Sequence, residues 1–102
     1  VVVVDYNRVQ ALGHSKDVLD LEPLSDKIRA CRWAYREVDG HDVEAIDAAL
    51  KTLPFEPGKP SWLTARTVKG KGVSWMEDTV SCHYGSVNDE QLARALKEIG
   101  VA

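Results

Sequence analysis

The stretch Val1-Val2-Val3-Val4-Asp5-Tyr6-Asn7, which opens the chain, indicates the fold most directly. Four consecutive β-branched residues without polar alternation are typical of a strand buried on both faces, as in parallel sheets covered by helices. Ligands of such sheets bind at the carboxyl ends of the strands. Asn7 follows the apolar run immediately, and its neutral side-chain oxygen suits a hard cation that is held mainly by phosphate and water.

Three helices are predicted from the spacing of apolar residues. The first covers residues 24–33. The second begins after the N-cap Asp42 and has as its apolar face Val43, Ile46, Ala49, Leu50 and Leu53. The third begins after Asn88, with Gln91 at the capping-box position and an apolar face of Leu92, Ala95, Leu96 and Ile99.

Between these helices the patterns predict strands and one long loop. The opening strand covers residues 1–5, and two more are predicted over residues 35–38 and 62–68. Residues 69–84 have no sustained period and contain glycines and several hydroxyls, which is typical of a shaped functional loop. The alternation of strand and helix predicts an α/β fold with a mostly parallel sheet and flanking helices, joined by right-handed crossovers.

Length and charge restrict the function classes. With 102 residues the chain can form one small core but is short for a complete α/β enzyme. Its 13 basic and 16 acidic residues give a net charge of −3, so a nucleic acid or an anionic membrane is not expected as a partner. No apolar stretch is long enough to cross a bilayer or to act as a signal peptide, so we expect a cytoplasmic protein with Cys31 and Cys82 as reduced thiols.

Two places in the long loop carry candidate chemistry. Lys69-Gly70-Lys71-Gly72 puts two flexible backbone positions and two cations where a ligand phosphate could sit, although a solvated basic turn explains the same residues. His83 could transfer a proton to a substrate hydroxyl or donate a hydrogen bond to it. Cys82 beside it is expected to pack under the loop, because sequence neighbours rarely face each other as a nucleophile and base. His14 is expected to be exposed rather than functional.

Four segments, taken in order, resemble the amino-terminal part of the transketolase family. They are Val3-Val4-Asp5-Tyr6-Asn7, Val38-Asp39-Gly40-His41-Asp42-Val43-Glu44-Ala45, residues 60–67 and Val68-Lys69-Gly70-Lys71-Gly72-Val73-Ser74-Trp75-Met76-Glu77. The resemblance favours the form of transketolase that is split into an amino-terminal and a carboxy-terminal subunit. It implies that residues 1–102 are the downstream part of a diphosphate-binding domain, a partial thiamine-diphosphate-binding fold.

The resemblance also implies a thiamine diphosphate site with a divalent metal, Mg²⁺ or Ca²⁺. Asn7 matches the family's metal-binding Asn after an apolar strand, and the backbone carbonyl that binds the same metal falls on Val9. Lys69-Gly70-Lys71-Gly72 would border the cofactor. His83 matches a His near the substrate, but the family often has Trp-His-Gly where this chain has Cys82-His83-Tyr84-Gly85.

The other parts of such a site are not in this sequence. The Gly-Asp-Gly segment, whose Asp binds the metal, and the pyrimidine-binding domain are absent. The resemblance therefore implies a chain that is inactive alone and acts in an oligomer with companion chains, where a two-carbon ketol unit passes from a ketose phosphate to an aldose. Two alternatives remain: an enzyme like deoxyxylulose phosphate synthase, which condenses pyruvate with an aldehyde, and a non-catalytic interaction subunit that docks through exposed apolar surface.

Overall fold

Strands and helices alternate within the sheet-forming part of the chain, in the order β, α, β, α, β, as the sequence patterns predict. The computed structural model describes residues 1–101. Its elements are β1 (Val2–Tyr6), β2 (Val9–Gln10), β3 (Gly13–His14), α1 (Ser15–Val18), α2 (Leu24–Ala30), β4 (Ala34–Asp39), α3 (Val43–Leu50), β5 (Ser61–Arg66), a 3-10 helix (Val80–His83) and α4 (Asp89–Glu98). They divide into two compact units: the first comprises Val1–Tyr6 and Leu21–Thr67, and the second comprises Asn7–Asp20 and the chain from Val68 onward.

A parallel three-stranded sheet forms the centre of the first unit. Its strand order is β1-β5-β4, so β5 lies between two strands that precede it in the chain. Tyr6, Arg66 and Asp39 are paired across the carboxyl ends of the three strands. Helices α2 and α3 both contact β4. The predicted α/β fold with a parallel sheet and flanking helices is therefore confirmed.

The central strand supplies more buried residues than any other element. Leu63 and Thr64 of β5 are fully buried, and Ser61 is only 1% exposed. The buried Thr64 hydroxyl accepts a hydrogen bond from the Trp62 ring nitrogen over 3.0 Å, so the cost of burying this polar group is offset. Burial of the Leu63 side chain contributes about 2 kcal/mol to stability.

The prediction that β1 is buried on both faces is wrong for the described chain. Val1 is 72% exposed and Val3 is 54% exposed, whereas Tyr6 is buried. β1 is an edge strand and pairs only with β5 among residues 1–101. Because successive side chains of a strand point to opposite faces, the exposed positions share one face.

The end of α2 and the apolar face of α3 differ from the predictions. α2 ends at Ala30 rather than at residue 33, because Arg32 has a left-handed backbone with φ of 65°. Asp42 caps α3 as predicted, and its carboxylate accepts the backbone N–H of Ala45 over 2.9 Å. The predicted apolar face of α3 is wrong at three positions: Val43 is 77% exposed, Leu50 is 37% exposed, and Leu53 lies beyond the end of the helix.

The second unit contains structure that the sequence did not reveal. β2 and β3 form a short antiparallel hairpin between the opening strand and the first predicted helix, where the sequence patterns predict no strand. At α4 the predicted capping box is confirmed, since the side chains of Asn88 and Gln91 each accept the other's backbone N–H. Its apolar positions Leu92 and Ile99 are about half exposed, so the expected burial of this face is not observed. No helix in the described range 1–101 is long and apolar enough to span a membrane.

Arg66 connects three elements at the carboxyl end of the sheet. Its Nε lies 3.0 Å from Glu37 Oε1 and its Nη1 lies 3.2 Å from Glu22 Oε1. The guanidinium also stacks over the Tyr6 ring at 4.6 Å. Hydrogen bonding from Arg66 is the main reason that the pKa of the Glu37 carboxyl lies below its usual range. Arg66 therefore fixes β1, β4 and the connector before α2 to β5.

Candidate functional site

Asn7 and Val9, the two predicted metal ligands, lie in one tight turn of the second unit. Asn7 Oδ1 accepts the backbone N–H of Val9 over 2.9 Å, which is an Asx turn. Arg8 between them adopts a left-handed conformation with φ of 61°. The turn therefore holds the Asn7 oxygen directly beside the Val9 peptide.

The Val9 carbonyl points away from the hairpin. Arg8 O accepts the backbone N–H of Ser15 over 2.8 Å, and the next pair in the ladder is Val9 with His14. Hydrogen-bonded and non-hydrogen-bonded pairs alternate in an antiparallel ladder, so Val9 and His14 form a non-hydrogen-bonded pair. The Val9 carbonyl is thus not used by β3 and is available as a ligand.

These two oxygens fit part of a magnesium shell. Mg²⁺ takes six oxygen ligands in a near-octahedral arrangement and keeps several waters or phosphate oxygens among them. Asn7 Oδ1 retains a second lone pair beyond the one that Val9 N–H occupies, and the Val9 carbonyl is neutral. Within residues 1–101 no group of three or more His, Cys, Asp or Glu side chains is arranged to hold a metal ion. The turn can therefore supply two of the six oxygen ligands that such a shell needs.

The Lys69-Gly70-Lys71-Gly72 segment is an ordered turn closed by a carboxylate. Glu77 Oε1 accepts the Gly72 N–H over 3.0 Å and lies 3.7 Å from Lys71 Nζ. The N–H of Asp78 donates to Lys69 O over 2.9 Å and joins the two ends of the loop. The Glu77 carboxylate thus already contacts the Gly72 amide and the Lys71 ammonium group. Lys69 forms no salt bridge within the described part of the chain. Of the two predicted cations, Lys69 is the one available to a ligand phosphate.

Gly70 is required by packing as well as by backbone conformation. Its φ is 75°, a region that disfavours residues with a Cβ. A Cβ at this position would lie 2.6 Å from the Met76 carbonyl oxygen, closer than real contacts allow. The close approach of Gly70 to Met76 fixes the turn against the following residues of its own loop.

A second carboxylate fixes the same loop from α4. The Glu98 side chain accepts the backbone N–H of Ser74 over 2.6 Å and the Ser74 hydroxyl over 3.1 Å. Arg94 Nε donates to the same carboxylate over 3.0 Å. The Ser74 N–H is the main reason that the pKa of the Glu98 carboxyl lies below its usual range. The sequence offers only the Arg94 to Glu98 spacing of four as a signal for this contact.

His83 lies at the end of the 3-10 helix, which is adjacent to β2. Its imidazole makes an edge-to-face contact with the Tyr84 ring, with 4.9 Å between ring centres. The Cys82 thiol is half-buried and hydrogen bonds to the Met76 carbonyl, not to the neighbouring imidazole. This arrangement supports the expectation of a packed thiol, and it places His83 in the same unit as Val9.

His14 has a contact that the sequence did not predict. Its Nδ1 lies 3.7 Å from the carboxylate of Asp78, which has a left-handed backbone at the end of the glycine loop. The contact joins the hairpin that carries Val9 to the loop that carries Lys69. Nothing in the local sequence around His14 marks this pairing, because 64 positions separate the two residues along the chain, the difference between 78 and 14.

Comparison with known proteins assigns the chain to a family. The family model described as transketolase, thiamine diphosphate binding domain, matches residues 1–102. A 6-deoxy-6-sulfo-D-fructose transketolase subunit from Clostridium sp. (strain MSTE9) is 34% identical over 97% of this chain and 36% of its own length. A subunit of apulose-4-phosphate transketolase from Phocaeicola vulgatus is also 34% identical, over 97% of this chain and 35% of its own length.

A solved structure shares the fold. The crystal structure of transketolase from Campylobacter jejuni superposes with a TM-score of 0.83 at 23% identity, and the match covers 96% of this chain and 15% of that one. A transketolase from Sinorhizobium medicae is 33% identical over 98% of this chain and 14% of its own length. The chain therefore spans about a third of the length of the two subunits it matches and a smaller part of the single-chain enzymes.

Proposed function

The chain belongs to the transketolase family, as part of its thiamine diphosphate binding domain, and we propose that it forms part of an enzyme that transfers a two-carbon ketol unit from a ketose phosphate to an aldose. Thiamine diphosphate, when bound, supplies the nucleophilic carbon and the electron sink that such a transfer needs. The contribution of this chain is to bind the diphosphate end of the cofactor and to orient the sugar. The proposal is supported most directly by the geometry of Asn7 and Val9.

Each predicted site residue has a part in this proposal. Asn7 Oδ1 and the Val9 carbonyl bind the divalent cation, Mg²⁺ or Ca²⁺, and the outward direction of the carbonyl supports this role. Lys69 faces the cofactor phosphate, while Gly70, Lys71 and Gly72 give the loop its shape around Glu77. His83 donates hydrogen bonds to substrate hydroxyls.

The remaining parts of the site come from companion chains or segments. Two relatives that this chain resembles are named as transketolase subunits, and each is about three times longer than the match. We propose that a Gly-Asp-Gly segment and a pyrimidine-binding domain complete the site in a cytoplasmic oligomer. With two metal ligands and no pyrimidine pocket, residues 1–102 alone should bind the cofactor weakly and be inactive, because preorganised ligands supply most of the affinity of a site.

An Asn7→Ala variant of the assembled enzyme tests the metal site. Activity is measured against Mg²⁺ concentration at saturating thiamine diphosphate. Loss of one of the two ligands should raise the half-saturating Mg²⁺ concentration at least about tenfold, which corresponds to about 1.4 kcal/mol. Gln10→Ala in the same hairpin is the matched control and should leave the Mg²⁺ dependence unchanged.

An unchanged Mg²⁺ dependence in Asn7→Ala would refute the metal role of this residue. The reaction class is tested separately with the unmodified enzyme, by offering ketose phosphates or pyruvate as donor and aldoses as acceptor. Transfer from a ketose phosphate supports the proposal. Turnover with pyruvate as donor, and none with a ketose phosphate, would instead assign the enzyme to the group that condenses pyruvate with an aldehyde.

A further inference from the structure

The carbonyl oxygen of Met76 is a shared acceptor at the start of the 3-10 helix. It accepts the Thr79 hydroxyl over 3.0 Å, the Thr79 backbone N–H over 3.3 Å and the Cys82 thiol over 3.2 Å. The thiol sulfur and the Thr79 hydroxyl oxygen are themselves 2.8 Å apart. The three groups lie within hydrogen-bonding distance of one another; when the thiol donates to the Met76 carbonyl, the Thr79 hydroxyl can donate to the sulfur, and Cys82 is the member that lies inside the helix.

The same carbonyl faces the glycine loop on its other side. A Cβ on Gly70 would lie 2.6 Å from this oxygen, so the two backbones are in direct contact. Met76 is therefore held between Gly70 and the side chains of Thr79 and Cys82. A displacement of Cys82 would act directly on the helix that it shares with His83, whereas the approach of Gly70 to Met76 is between backbones and does not involve the thiol.

The helix that carries His83 has little other support. It is one turn of 3-10 helix, which has poorer hydrogen-bond geometry than an α-helix. Its N-cap Thr79 makes no capping bond from its side chain to the helix backbone. After His83 the chain is held by two bonds to one carbonyl, from the N–H groups of Tyr84 and Gly85 to Ser81 O. The bond from the Cys82 thiol to the Met76 carbonyl is thus one of the few contacts that hold this turn, and the imidazole itself contacts the Tyr84 ring.

We propose that Cys82 is a positioning residue for His83: its thiol, bound to the Met76 carbonyl and the Thr79 hydroxyl, orients the turn that presents the imidazole to the sugar. The proposal rests on the proposed role of His83 in sugar binding. The thiol acts as a hydrogen-bond donor and remains chemically unchanged throughout the reaction.

The experiment compares Cys82→Ala with Cys82→Ser in the assembled enzyme, with Cys31→Ala as the control at the exposed cysteine. The measured quantities are kcat, the KM of the ketose phosphate and the KM of thiamine diphosphate. Cys82→Ala should raise the sugar KM roughly three- to tenfold, the effect of one hydrogen bond, and change the cofactor KM less than about twofold. Cys82→Ser retains a donor and should restore most of the sugar affinity.

A double-mutant cycle with His83→Ala separates positioning from a general loss of structure. If Cys82 acts through His83, Cys82→Ala should have little further effect on the sugar KM in the His83→Ala background. Independent, multiplying effects would overturn the proposal, and so would an equal rise in the cofactor KM. If Cys82→Ala does not assemble, Thr79→Val removes the other side-chain donor and should raise the sugar KM in the same way; an unchanged KM there would overturn the proposal.

The roles proposed for His83 and for Cys82 can be refuted separately. A His83→Ala variant with an unchanged sugar KM would refute the proposed role of His83 and the positioning role together. A large effect of His83→Ala combined with none for Cys82→Ala would refute only the role of Cys82. The transketolase reaction itself is tested by the donor and acceptor assay and does not depend on either variant.

Discussion

The carboxylate of Glu98 accepts the backbone N–H of Ser74 over 2.6 Å, across a separation of 24 residues. The contact joins the last residue of α4 to the loop that begins with Lys69-Gly70-Lys71-Gly72. Charge-assisted hydrogen bonds of this kind are stronger than bonds between neutral groups. The conformation of the glycine loop is therefore coupled to α4, and it depends on the ionised state of one exposed carboxyl.

This coupling predicts a stability loss in acid. The native pKa of Glu98 is lowered, chiefly by the Ser74 N–H. A group with a lowered native pKa contributes stability above its unfolded pKa, about 4.3 for Glu, and that contribution disappears as the pH falls through the native value. The unfolding free energy of Glu98→Gln should therefore fall less in acid than that of the unmodified protein. Urea denaturation at a series of pH values from neutral downward gives the two curves of unfolding free energy against pH. Identical curves for the two proteins from neutral pH to below about pH 4.3 would contradict the coupling.

Gly70→Ala should destabilise the chain strongly. The new Cβ would face both an unfavourable φ of 75° and a clash with the Met76 carbonyl. We expect the free energy of unfolding to fall by about 2–4 kcal/mol, the sum of the two effects. Gly58→Ala is the matched control, because Gly58 has a φ of 76° and no atom within 4 Å of its virtual Cβ. It should cost only about 1 kcal/mol in the same denaturation experiment, and equal losses in the two variants would show that the clash is relieved.

Arg66→Lys should weaken the carboxyl end of the sheet although the charge is retained. A lysine cannot reproduce the fork that contacts Glu22 and Glu37, nor the stacking on Tyr6. We expect a loss of about 1 kcal/mol in unfolding free energy, because exposed ion pairs and cation–π contacts each contribute little. The pKa of Glu37, which Arg66 lowers, should rise toward its usual value in a titration followed by NMR. A Glu37 pKa that stays unchanged would show that Arg66 is not its main partner in solution.

Asn88→Ala should destabilise α4 by about 1 kcal/mol, the usual cost of losing an N-cap. The Asn88 side chain accepts the Gln91 N–H over 2.8 Å. Asn88→Asp keeps an acceptor and should retain most of the stability. Circular dichroism during thermal unfolding measures both variants, and equal melting temperatures for Ala and Asp would argue against the cap.

The sequence was sufficient where the determinant is local. Asp42 and Asn88 cap helices through bonds to residues three positions later, so their spacing alone predicts the structure. The burial of β1 was not predictable in this way, because the exposure of Val3 depends on which elements cover its face of the sheet. The β2–β3 hairpin was missed because it has only two residue pairs and depends on the Asn7 turn.

The candidate site divides along the same line. Asn7 and His83 are candidates because of their positions after a strand and in a long loop, and the resemblance of ordered motifs adds Val9 and proposes the roles of all three. The residues that shape the site, Glu77, Asp78 and Glu98, were missed. Glu98 and Asp78 reach their partners across long separations in sequence, and a single sequence gives no sign of which distant carboxylate closes a loop.

The central place of β5 in the sheet has a consequence for the order of folding. β1 and β4 are made first, yet among the described residues they do not pair with each other and depend on β5 to join them. During synthesis both strands therefore lack their β5 partner until residues 61–66 leave the ribosome. Such non-local pairing slows folding, and unpaired strands are prone to aggregate. The apolar run Val1–Val4 of β1 is therefore one segment that stays without its β5 partner until late in synthesis.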